Sequence, residues 1–202
     1  MDRNDWDERY RTKELVWTAD ANQFVVAELT GRPPGRAIDV AAGEARNAVW
    51  LAEQGWDATA VDFSAVGLGK AQELAGARGV SITTEVVDVV AEALPGVSYD
   101  LVLLAYLQLP EPQRRAALAH CVAALAPGGT FFEVAHDAAN LHDGYGGPQD
   151  PTVLATPEEV VAGLLAADPL LRIERAEVVE RRVTTSDGER VALDHVIRAV
   201  RP

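Results

Sequence analysis

The chain has 202 residues, of which 48% are hydrophobic and 24% charged, with one cysteine and a formal net charge of −13. That length suits one domain burying roughly 70% of its unfolded surface, and a lone cysteine excludes an internal disulfide and fits a reducing cytoplasm. A surface this acidic with no Lys/Arg cluster argues against nucleic acid as a partner, and no stretch approaches the ~18 apolar residues of a membrane span.

The opening "MDRNDWDERYRTKE" is too polar for a signal peptide. Residues 1–30 read as an N-terminal segment, with an irregular stretch carrying Trp6, Tyr10 and Trp17 followed by a helix from about Ala19 to Leu29. From Arg36 short apolar runs alternate with helical patterns. "RAIDV" is a strand and "EARNAVWLAEQG" a helix stopped by Gly55. "WDATAVD" is the second strand, and a helix from Ser64 as N-cap runs to about Ala77. "VSITTEVVD" is the third strand and "YDLVLLAY" a fourth, apolar enough to be buried on both faces.

A helix from about Pro112 to Leu125 stops at "PGG", and "TFFEVAH" is the fifth strand. Cys121 lies on that helix's apolar face, as a buried, inert thiol does. After a helix from about Pro157 to Ala166, "LLRIERAEVVERRV" and "RVALDHVIRAV" face each other across "TTSDGE", where Asp187–Gly188 signals a hairpin. The expectation is a single domain over 1–202 with a Rossmann-like core over 36–202. Its doubly wound α/β sheet has seven strands, five parallel and a C-terminal antiparallel hairpin, with helices on both faces.

In such sheets ligands bind beyond the carboxyl ends of the strands, near the point where strand order reverses. The loop after Val40 carries Ala41, Gly43 and Ala45, and Gly43 is the residue free to take a positive φ or to lie directly under a ligand. Alanines at 41 and 45 are tolerable there if they keep ordinary dihedrals. The G-x-G-x-x-G pattern of dinucleotide sites fails at Arg46, and no G-K-[ST] phosphate loop is present. Arg46 in the first helical turn opposes the helix dipole, so it is either a solvated cation offset by Glu44 or a partner for a bound carboxylate. Asp62, 23 positions after Asp39, is either a helix cap or an acceptor for both ribose hydroxyls. Asp88 offers the same choice between capping and reading an adenine amino group.

These residues resemble a class I S-adenosylmethionine-dependent methyltransferase. Asp39, Ala41, Gly43 and Ala45 stand at the positions of that family's D-x-G-x-G-x-G motif, Asp62 and Asp88 match its acids after strands two and three, and "LAPGGTFFEV" resembles its turn before strand five. "GEARNAVWLAEQGWDATAVDFS", "WDERY" and "TSDGERVALDHVIRAV" are similar to the tellurite-resistance and thiopurine methyltransferase-like branch. The resemblance implies S-adenosyl-L-methionine as cofactor, held by Asp39, Ala41, Gly43, Arg46, Asn47, Asp62, Phe63, Ser64, Asp88, Val89 and Ala105.

Methyl transfer needs positioning and water exclusion more than a nucleophilic side chain. Tyr106 and His136 are the catalytic candidates, with Asp137 and Tyr145 of the turn-rich "HDAANLHDGYGGPQDP" beside a small-molecule substrate. His136, Asp137, His142 and Asp143 fit no usual zinc spacing, so no metal is expected. His195, mid-strand, reads as structural. Trp6 and Tyr10 either staple the N-terminus to the domain or close over the sheet edge as a lid. The rival functions are a cofactor-binding regulatory or scaffold protein without methyl transfer, and an NAD-dependent oxidoreductase, which Arg46 and the hairpin disfavour. Oligomeric state is not legible.

Overall fold

In the computed structural model, which describes residues 2–12, 14–96 and 98–202, strands β1 (Arg36–Val40), β2 (Asp57–Asp62), β3 (Thr83–Val86), β4 (Tyr99–Ala105), β5 (Leu125–His136), β6 (Arg172–Thr185) and β7 (Gly188–Val200) form one sheet of order β3-β2-β1-β4-β5-β7-β6. The first five are parallel. β7 lies antiparallel between β5 and β6, which closes the sheet with the expected hairpin. Strand order reverses between β1 and β4, so the loops after Val40, Asp62 and Ala105 meet at one edge.

Helices α2 (Gln23–Leu29), α3 (Arg46–Glu53) and α4 (Ala65–Ala77) cover one face, where Val25, Leu51 and Leu68 pack with Leu101, Phe132 and Val196. Helices α5 (Glu111–Ala123) and α6 (Pro157–Ala167) cover the other, where Leu118, Cys121 and Leu164 pack with Ile38, Phe131 and Ile197. Phe131 and Phe132 point to opposite faces, and their burial, worth about 2–3 kcal/mol apiece, ties β5 to both helix layers.

Several boundaries differ from expectation for local reasons. The stretch expected to be irregular is helix α1 (Arg3–Thr12), capped by reciprocal bonds in which Asp2 and Asp5 each accept the other's backbone N–H. The next helix starts at Gln23 rather than Ala19, because Asn22 Oδ1 caps it by accepting the Phe24 N–H at 2.8 Å. β3 shortens to four residues at the sheet edge. β5 begins before the "PGG" turn, with a register break against β4 between Tyr99 and Leu101. The hairpin turns through Ser186 and Asp187, and Gly188, at φ 111°, already pairs with Thr185.

Candidate active site

The loop between β1 and α3 corrects one expectation outright. Ala41 (φ 55°) and Ala45 (φ 54°) share the left-handed conformation of Gly43 (φ 57°). All three positions of the glycine pattern therefore keep a glycine-like backbone, and each alanine carries a strain of about 1–2 kcal/mol. Such strain persists where the surroundings over-determine the backbone, and it clusters at functional sites. Beneath the loop Asp39 is buried; its Oδ2 accepts the Ala48 N–H at 3.1 Å, while its Oδ1 has no partner. Burial pushes the Asp39 carboxyl up to about 7, against the Ala48 amide and the nearby Arg46 charge.

Asp62, at the end of β2, accepts the N–H of Gly43 and of Ser64, each at 2.8 Å. These two bonds clamp the first loop to the second and leave about two of the carboxylate's four lone-pair sites unused. Burial raises the Asp62 pKa, with the Ser64 and Gly43 amides opposing. Ser64 caps α4 through the Gly67 N–H at 3.1 Å and donates its hydroxyl to Asp7 of α1. Phe63 is half-buried beside them.

The N-terminal segment lies directly on this loop. A Cβ at Gly43 would stand 2.5 Å from the Tyr10 hydroxyl, so the group that makes the close approach is Tyr10, which is buried. Trp6 stacks on Tyr10 and Trp17, with Arg9 over both indoles at 4.9 and 5.4 Å. Glu44, next to Gly43 and also buried, accepts the N–H groups of Val16 and Trp17 at 3.0 and 3.1 Å and pairs with Lys70 at 3.3 Å. Arg46 donates to Thr18 Oγ1 at 2.8 Å and has no carboxylate within salt-bridge range among the described residues. Asn47 Oδ1 takes the Asn22 N–H at 2.9 Å. Asp88 caps its own turn through the Val90 N–H at 3.0 Å, which is the capping alternative, and the buried Val89 offers its carbonyl to His120 Nδ1 at 2.7 Å.

At the ends of β4 and β5 the structure brings Tyr106 and His136 together, ring centroids 4.9 Å apart. Tyr106 follows the half-buried Ala105 and holds φ 59°, a strained value for a bulky residue. The side chain that joins the pair is one that reading the sequence missed, Asp194 of β7, which is fully buried. Its Oδ2 accepts the Tyr106 hydroxyl at 2.6 Å and Arg181 Nε at 2.7 Å, and its Oδ1 lies 3.0 Å from His136 Nδ1, off the line of a straight hydrogen bond. Burial works against the Asp194 charge, yet His136, Arg181 and Tyr106 together hold its carboxyl below the ordinary range. Burial, then the Asp194 charge, lifts the Tyr106 phenol well above its ordinary value. Asp194 opens a run of β7, 194 to 197, that is buried on both faces, and a charge inside that run is the signal that marks this aspartate.

Asp137 and Tyr145 do not join this group. Asp137 is buried on the opposite face, 3.4 Å from His195 Nδ1, and its Oδ1 caps the Ala139 N–H. Tyr145 is 45% exposed. Among the described residues no three His, Cys, Asp or Glu side chains are placed to hold a metal ion, and no helix is long and apolar enough to cross a membrane.

The strand order and the antiparallel closing hairpin are those of a Rossmann-like methyltransferase fold. Residues 37–129 match the family model of a methyltransferase domain, a stretch running from β1 to the "PGG" turn. The chain is similar to the structure described for conversion of a disulfide bond into a thioacetal group during echinomycin biosynthesis (TM-score 0.75, 21% identity, 98% of this chain and 92% of that one). It is also similar to the N-methyltransferase NodS of Bradyrhizobium japonicum WM9 in complex with S-adenosyl-L-homocysteine (0.72, 19%, 100% of both chains). TehB of Haemophilus influenzae is a third (0.71, 19%, 97% of this chain and 67% of that one). At these identities the likeness is one of fold. No curated protein matches the chain.

Proposed function

We propose that this protein is an enzyme, an S-adenosylmethionine-dependent methyltransferase acting on a small-molecule acceptor. The observation that carries the reading is the loop. Ala41, Gly43 and Ala45 all hold left-handed torsions, so the motif's backbone persists at strain where two glycines are absent. The buried, unpartnered Asp39 Oδ1 and the spare acceptor capacity of Asp62 suit a ligand that brings hydrogen-bond donors, and Arg46 suits a carboxylate.

When bound, the cofactor supplies a methyl group activated on a sulfonium. The chain's part is to bind and orient. Asp62 receives ribose hydroxyls, the loop of residues 39–47 holds the methionine end, and Phe63, Ser64, Asp88 and Val89 flank the adenine. The N-terminal segment acts as a lid, with Tyr10 and Trp6 excluding water over the loop. The assignment to the tellurite-resistance and thiopurine methyltransferase-like branch rests on the sequence motifs alone. A cytoplasmic protein with a thiol, phenol, amine or metalloid oxyanion as acceptor fits this branch.

The test is transfer of tritium from [methyl-³H]S-adenosylmethionine to a panel of thiols, phenols, amines and tellurite. Labelled product from any acceptor is the expected result. Binding of S-adenosylhomocysteine without transfer to any of them would favour the regulatory or scaffold reading.

A further inference from the structure

The methyltransferase reading leaves Asp194 unused, although a fully buried carboxylate receiving three side chains from three other strands is costly to build. A buried charge of this kind is strongly destabilising unless opposite charges and donors compensate it. Tyr106 and Arg181 saturate Oδ2 and come from β4's end and from β6; His136 reaches Oδ1 from the end of β5. Arg46 of α3 also faces this cluster, acting on Tyr106 and Arg181.

The arrangement distinguishes the two imidazole nitrogens. His136 Nδ1 is buried against the carboxylate, and Gly147 packs on the same side, since a Cβ there would lie 3.1 Å from Cγ and Nδ1. Gly147, at φ 75°, is held by its neighbour Gly146, whose carbonyl accepts Asn140 Nδ2 at 2.8 Å. His136 still keeps 16% of its side chain exposed, and Nε2 has no partner among the described residues. A carboxylate at Nδ1 places the ring proton there and leaves the lone pair on Nε2. The Tyr106 hydroxyl already donates its proton to Asp194 Oδ2 at 2.6 Å, which leaves His136 Nε2 as the acceptor the cluster presents.

We propose that Asp194 is a positioning residue that fixes His136 as the general base, and that the acceptor is therefore a protic nucleophile bearing an O–H, S–H or N–H. This rests on the methyltransferase reading. As the acceptor's heteroatom forms its bond to the methyl carbon, its proton passes to His136 Nε2. The pair of the breaking carbon–sulfur bond stays on sulfur, and the imidazolium is held by the Asp194 carboxylate until it loses the proton to water. Thioethers and tertiary amines, which have no proton to lose, gain nothing from this dyad.

The first test needs neither cofactor nor acceptor. In long-range ¹H–¹⁵N spectra of the labelled full chain, whose four histidines are His120, His136, His142 and His195, neutral His136 is expected as the Nδ1–H tautomer, and Asp194→Asn is expected to lose that signature. Tyr106→Phe, which removes one donor and keeps Asp194, covers the case in which Asp194→Asn fails to fold; it should retain the tautomer. Neutral His136 in the Nε2–H form overturns the proposal. The second test uses whichever acceptor takes up tritium. His136→Gln should lower kcat by about 10²–10⁴-fold with KM little changed, and Asp194→Asn should lower kcat and displace the acid limb of its pH profile. Full kcat in His136→Gln, or turnover confined to thioethers and tertiary amines, overturns it. Titration of the same samples with S-adenosylhomocysteine separates the two claims, because loss of the methyltransferase reading would appear there as absent binding while the tautomer still reports on the dyad.

Discussion

The Tyr10 hydroxyl lies 2.5 Å from the point that a Cβ on Gly43 would occupy, so the N-terminal helix fills the space that this glycine leaves open. Helix and loop are thus fitted to one another at a single atom. Gly43→Ala should cost about 1–2 kcal/mol from the left-handed φ alone, and more from the collision. Tyr10→Phe removes the colliding atom and leaves the ring carbon at an ordinary 3.4 Å. In a double-mutant cycle read by urea denaturation, the Gly43→Ala/Tyr10→Phe pair should be less destabilised than the sum of its parts by 0.5 kcal/mol or more. Strict additivity would mean that Tyr10 does not sit on Gly43 in solution.

The two alanines of the loop should respond differently to glycine. Relief of left-handed strain gains about 1–2 kcal/mol, and the freer unfolded chain takes back about 0.4–1. Ala41 is half-buried, so Ala41→Gly should stabilise by roughly 0.5 kcal/mol. Ala45 is fully buried, and losing its methyl costs about 0.8 kcal/mol more, so Ala45→Gly should be close to neutral. The denaturation midpoint at unchanged m-value measures both.

Glu44 ties the N-terminal segment to the loop through two backbone N–H groups and Lys70. Glu44→Ala removes a nearly buried acceptor and leaves those donors without it, at a cost of about 2–3 kcal/mol to docking of the segment. Amide exchange at Val16 and Trp17 should accelerate at least tenfold while the amides of β1 and β4 stay protected. Equal acceleration throughout would show that the segment and the core unfold together.

His195 governs stability on the alkaline side. Burial opposes its charge, but Asp137 at 3.4 Å and Glu133 at 3.6 Å prevail and lift its pKa to about 9. Between about 6.5, the unfolded value, and 9 the folded chain holds a proton that the unfolded chain has released. Stability from this group is therefore complete below pH 6.5 and declines as pH rises through 9, by about 3 kcal/mol in all. Asp39 has the same sign over a lower window, from about 4 to 7. Urea melts from pH 6.5 to 9.5 should show the decline in the parent and a flatter profile in His195→Gln.

Alternation of short apolar runs with helical patterns was sufficient to read the sheet, because the central strands β1, β4 and β5 are buried on both faces, while the more exposed closing hairpin is marked by its Asp187–Gly188 turn. α1 escaped for a physical reason. Its helix is polar except for Trp6 and Tyr10, one turn apart; Tyr10 packs on Gly43 and Gly67, far away in sequence, and Trp6 packs on Tyr10 and Trp17. The torsions of Ala41 and Ala45 were equally hidden, since alanine there signals an ordinary backbone. Tyr106 and His136 were legible as residues following strand ends, whereas Asp194 contacts Tyr106 across 88 positions and no local pattern announces that contact. Only the charge inside the buried run of β7 points to it.

Calorimetric titration with S-adenosylhomocysteine and, separately, with NAD tests the central claim most directly. The account predicts one site for S-adenosylhomocysteine and none for NAD, with Asp62→Ala weakening the affinity by about 1.5–3 kcal/mol through lost charge-assisted hydrogen bonds and Gly43→Val abolishing binding. Binding of NAD with no response to S-adenosylhomocysteine would contradict it, as would unchanged affinity in both variants.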